Sequence, residues 1–122
     1  MPTAHPIEGN WLPFKAELGG QAAPAMALQS MRLTLRAGQY WVRFASDIHD
    51  RGRYEISESG ALLTITLQGD QGVNRGRKIP AIFQLAGDRL RICYGLDGCV
   101  PDAFATGSDE QRYLVTYRRE EG

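Results

Sequence analysis

The sequence predicts an all-β protein: an eight-stranded antiparallel up-and-down barrel carrying one short helix. Three observations predict it. Short runs of alternating apolar and polar residues recur along the chain, each closed by turn residues. Successive runs are joined by a turn or a short loop, which is how a meander is built. Each run has one apolar face, and eight such runs in 122 residues bury those faces and lose their sticky edges together if the sheet closes on itself.

The first strand covers 10–18 and stops at Gly19-Gly20. The next segment, QAAPAMALQS, is the one Ala-rich piece; Pro24 in a first turn gives a short helix to about Ser30. MRLTLR, 31–36, sets Met31, Leu33 and Leu35 against Arg32, Thr34 and Arg36. Ala37-Gly38 turns the chain into QYWVRFA, 39–45, with Tyr40, Val42 and Phe44 on one face and Trp41 and Arg43 on the other. SDIHDRG, 46–52, reads as a loop. RYEIS, 53–57, points Tyr54 and Ile56 the same way. Glu58-Ser59-Gly60 leads to ALLTITLQ, 61–68, where Leu63, Ile65 and Leu67 oppose Thr64 and Thr66. GDQGVNRG, 69–76, reads as a long flexible loop at the barrel mouth. RKIPAIFQL, 77–85, runs through an Ala86-Gly87-Asp88 hairpin into RLRICY, 89–94. An irregular Gly- and Pro-rich stretch, 95–111, precedes the last strand, RYLVTYRRE, 112–120.

These elements make one domain, 1–122, with its core in 7–120. Fourteen basic residues balance 14 acidic ones. A net charge of zero argues against nucleic acid or an anionic membrane as a partner held by counterion release. No apolar run approaches the roughly 20 residues of a membrane span. The start, MPTAHPIEGN, shows no basic segment and no apolar core of a signal peptide, so the expected location is cytoplasmic, a mature exported form remaining open.

Gly9, Asn10 and Trp11 stand at the mouth of the first strand. A Gly-x-Trp there resembles the lipocalin signature, in which the Trp closes the base of the barrel and a basic residue of the final strand lies over its ring. That resemblance implies Arg118 or Arg119 as the covering residue. A guanidinium over an indole adds roughly 0.5–2 kcal/mol, and a glycine allows close approach of the chain. The chain as a whole, 7–120, is similar to a bacterial family of small lipocalin-like domains of unknown function, abundant in planctomycetes. The similarity lies in Gly-x-Trp, Glu17-Leu18-Gly19-Gly20, Leu33 to Leu35, the Gly-Asp hairpin, Leu90 to Cys93 and the basic-Arg-Glu end. One step departs: where the family has Arg-Pro-x-x-Phe, this chain has Val100-Pro101-Asp102-Ala103-Phe104, and Cys99 is an addition.

Chemistry is sparse. His5 lies in a tail between Ala4 and Pro6; His49, between Asp47 and Asp50, reads as a solvated loop tip rather than a tuned base or metal ligand. Cys93 and Cys99 lack zinc spacing; they form a disulfide across a short loop or, the favoured reading, stay free thiols. Cys93 has no helix N-terminus to activate it. GDQGVNRG sits between strands, so no helix dipole supports a phosphate there. The chain is therefore expected not to be an enzyme and to need no cofactor or metal.

The aromatics Tyr40, Phe44, Tyr54, Phe83 and Tyr94 fall on inner faces. An eight-stranded barrel is just wide enough to be filled by side chains or to hold one small ligand. The expected function is binding a small apolar or amphipathic ligand among these five residues, joined by Arg43 if a bulge swings it inward. The alternative is a protein-interaction module with a filled barrel and no ligand, for which Trp41 on the outer face is the best feature.

Overall fold

The alternating runs pair into one continuous antiparallel sheet. The computed structural model describes residues 6–58, 63–107 and 111–120, with backbone alone at 25 and 27. Its strands are β1 (Gly9–Leu18), β2 (Gln21–Ala22), β3 (Met31–Arg36), β4 (Gln39–Phe44), β5 (Asp47–Ser57), β6 (Leu63–Gly72), β7 (Lys78–Ala86), β8 (Arg89–Gly95) and β9 (Arg112–Arg119). Pairing runs β1-β3-β4-β5-β6-β7-β8-β9, and β9 returns to β1 over a register from Trp11↔Arg119 to Leu18↔Tyr113. This is a closed eight-stranded barrel; β2 is a two-residue extension pairing with β1. The helix α1 (Ala25–Leu28) is a single turn entered through Pro24, which caps it from an extended conformation rather than sitting inside it. It links the end of β1 to the start of β3 and buries Leu28. No helix among the described residues is long and apolar enough to cross a membrane.

Two expected loops are strand instead. SDIHDRG belongs to β5 from Asp47, and GDQG extends β6 to Gly72. The reason is cross-strand pairing that local composition does not announce. Bulges accommodate it: Val42 pairs with Asp50 and Arg43 with Ile48, which leaves His49 as the extra residue, and Gly52 pairs with Gly69, which leaves Asp70 extra. Gly52, Gly69 and Gly72 tolerate the crowding, since a Cβ at each would lie within 2.3 Å of a backbone oxygen. His5, the Ser59-Gly60 turn and residues 61 and 62 of the run 61–68 lie outside the described residues.

The two ends of the barrel differ. One end holds the Ala37-Gly38 and Gly87-Asp88 turns, the start of β1 and the end of β9. Ala37 and Gly38 both have positive φ, 52° and 79°, which matches the right-handed twist of a tight hairpin. Trp11 closes this end, wholly buried. Its Nε1 donates to the Ile7 carbonyl at 2.9 Å, and the Arg119 guanidinium lies 4.3 Å from the ring centre. Arg119 also donates to the carbonyls of Glu8 and Pro6, each at 2.8 Å. Arg119 is thus the covering residue; Arg118 points to solvent on the opposite face. Gly9 makes this possible, because a Cβ there would stand 2.6 Å from Arg119 Nη1 and its φ of 142° is one that other residues rarely adopt.

The stretch after β8 covers part of the outer face. Ile82 and Cys93 are buried although their parity turns them outward. The irregular stretch after β8 straps that wall: Cys93 Sγ faces the Ala105 carbonyl at 4.0 Å, Arg91 lies over the Phe104 ring at 4.1 Å, and Arg112 pairs with Asp102 at 3.0 Å. Cys93 and Cys99 are not joined by a disulfide; Cys93 is buried and Cys99 exposed.

Candidate functional site

Opposite Trp11, the ends of β4, β6 and β8 and the starts of β3, β5, β7 and β9 form a mouth. The result is a cavity of about 270 Å³ bordered by Leu33, Val42, Leu67, Ile79, Val115 and three tyrosines, Tyr94, Tyr113 and Tyr117.

Its polar side is assembled from three elements. Asp50, inward-facing beside the β5 bulge, borders the cavity and is 4% exposed. Tyr40 rises from β4 over Gly52, whose missing Cβ leaves room for the ring, and donates to Asp50 Oδ1 at 3.2 Å. The 73–77 segment folds back over β6 where Gly69 and Gly72 permit close approach. It delivers Asn74, whose Nδ2 donates to Asp50 Oδ2 at 2.6 Å. Arg77 fixes Asn74 by donating to its Oδ1 at 3.2 Å, and reaches across to the Leu96 carbonyl at 2.8 Å. GDQGVNRG thus does lie at the mouth, half as strand and half as a hydrogen-bonded turn.

Across the cavity the Tyr94 and Tyr117 hydroxyls share a hydrogen bond of 2.8 Å, and Tyr94 stacks on Tyr113 at 5.9 Å between ring centres. Burial pushes the Tyr94 and Tyr117 phenols well above their ordinary value near 10, since an ionised phenolate has no water there. Tyr40 is raised by burial and next by the Asp50 charge. The sign follows from proton linkage. Above pH 10 an unfolded chain releases these protons while the folded one keeps them, so stability is complete below pH 10 and falls as pH rises toward the folded values. Each fully buried phenol adds about 1.4 kcal/mol of loss per pH unit in that window. Alkaline titration of urea midpoints should show a steep fall above pH 10, and Tyr94→Phe should make it shallower.

Of the residues predicted for the ligand site, Tyr94 borders the cavity and Tyr40 touches it through Asp50. Phe83 and Tyr54 pack in the core away from it. Two expectations are corrected. Phe44 is 49% exposed, because β4 ends there at the rim. Arg43 does not swing inward: the bulge lies on β5, where His49 absorbs it, and Arg43 keeps its outward pairing with Ile48. The Asp-x-His-Asp run is split, with Asp47 and His49 exposed and Asp50 buried. Among the described residues no three His, Cys, Asp or Glu side chains cluster to hold a metal ion.

Sequence reasoning missed Asp50 and Asn74 because both sat in segments read as loops. Leu33, Leu67 and Val115 also line the cavity, and alternation places the first two inward, but a reading of aromatic residues as the lining passes over aliphatic ones; Tyr117 lies on the last strand, whose faces the alternation was not used to assign. Comparison of the chain with family models, curated proteins and solved structures finds no match.

Proposed function

We propose that the protein binds one small apolar or amphipathic molecule in the cup at the barrel mouth, as a carrier or sensor and not as a catalyst. The cavity of about 270 Å³ carries this reading, with aliphatic walls and a few convergent polar groups. It holds the volume of about nine liquid waters, so its ligand has roughly ten non-hydrogen atoms. A binding role is also supported by what stays apart: Cys93 lies under the outer strap, His49 is exposed at the mouth, and Asp50 is the one acid bordering the cavity among the described residues. The Gly9, Trp11 and Arg119 floor supports kinship with the lipocalin-like domains.

A protein-interaction role draws support from Phe44 and Ile48, half-exposed near neighbours at the rim of β4 and β5. The cavity weighs against the filled interior which that role assumed.

Native mass spectrometry and thermal shift against alcohols, amines, acids and aromatics of about six to 12 non-hydrogen atoms test the proposal. One equivalent should bind and raise the melting temperature, by the equivalent of about 2.7 kcal/mol at a hundred times Kd. Silence across the panel overturns it.

A further inference from the structure

Asp50 says what kind of molecule suits the cup. A carboxylate offers about four acceptor positions. Two are used, by the Tyr40 hydroxyl and the Asn74 amide, and both donors are neutral. Two basic side chains also border the cavity. Arg32 is held by Glu120 at 2.7 Å, and His49 is exposed on the bulge. Arg77 bonds to the far side of Asn74 rather than to Asp50. Among the described residues no ion pair reaches Asp50. A carboxylate this buried is unfavourable without a countercharge. The cavity beside it is lined by aliphatic groups and by tyrosines, whose ring faces attract cations and whose oxygens accept hydrogen bonds.

We infer that the ligand of this cup is a primary amine on a short apolar body, its ammonium donating to Asp50 and its tail packed against Leu67, Ile79 and Val115. The inference rests on the cup being the binding site. An ammonium supplies both the missing charge and up to three donors, which a neutral alcohol does not. A carboxylic acid of the same length would meet the like charge of Asp50.

Calorimetric titration at pH 7 with n-octylamine, octan-1-ol and octanoate tests this with tails of one length. An alkylamine is protonated there, as a lysine side chain is. Octylamine should bind at least about tenfold more tightly than octanol, with octanoate weakest. Asp50→Asn should weaken octylamine by at least about tenfold and octanol much less, because only the ammonium loses a countercharge, and circular dichroism of the variant reports that it is folded. If that variant fails to fold, the ranking of the three probes on the native chain decides. Octanol or octanoate binding as tightly as octylamine overturns the ammonium and leaves the cup standing. No binding by any of the three overturns both.

Discussion

Trp11→Ala lowers the unfolding free energy by about 3–5 kcal/mol, the range for removing a buried aromatic from a close-packed site. The indole is completely buried and plugs the only barrel end that has a floor among the described residues. Its loss removes three things at once. The fully buried volume of the ring is replaced by a cavity in the core, the Ile7 carbonyl loses its donor, and the Arg119 guanidinium loses the face it covers. Neighbouring strands cannot collapse into the gap, because each is fixed by ladders on both sides. Trp11→Phe keeps much of the volume and loses the hydrogen bond, so it should cost clearly less. Urea denaturation followed by far-ultraviolet circular dichroism measures both. A loss under about 1 kcal/mol for Trp11→Ala, the size of an ordinary surface change, would show that the floor does not hold the barrel together.

Gly52→Ala should be nearly as damaging, by about 2–3 kcal/mol, through overpacking rather than through a lost contact. A Cβ there would stand 2.0 Å from the Gln68 carbonyl oxygen and 2.8 Å from Tyr40 Cε1. The first neighbour is backbone in the β5–β6 ladder and cannot rotate away. The second is the ring that hands its hydroxyl to Asp50. The substitution therefore strains the sheet and unseats the polar side of the cup together. Shrinking Tyr40 in the double variant Gly52→Ala, Tyr40→Leu should recover only part of the loss, since the carbonyl clash stays. Thermal unfolding of the single and double variants reads this; a single variant as stable as the native chain would mean the strands part without cost.

The contrast between the two ends shows how legibility varied along the chain. The closed end was readable: Gly9, Trp11 and a terminal arginine form a pattern whose parts have individual physical reasons, and parity distinguishes Trp11 from its outward neighbours. The open end was not. Asp50 lies in a run of Asp, His, Arg and Gly that looks solvated residue by residue, and it becomes strand only because Val42 and Gly72 pair with it from either side. Bulges add to the difficulty, for each shifts parity by one position and a shift of one reverses every assignment beyond it. Phe44 is exposed because its strand ends there, and Arg43 keeps the outer face that alternation assigns it because the bulge falls on the partner strand.

Alternation and turn chemistry are properties of neighbours along the chain, so by itself the sequence determined an eight-stranded antiparallel barrel and which residues face inward on most strands. Whether the inside is full or hollow depends on the summed volumes of side chains from every strand at one level, and whether a carboxylate lies buried depends on segments far apart in sequence. Those were decided only when the sheet closed, bringing Tyr40, Asp50 and Asn74 together beside a hollow that no single strand contains.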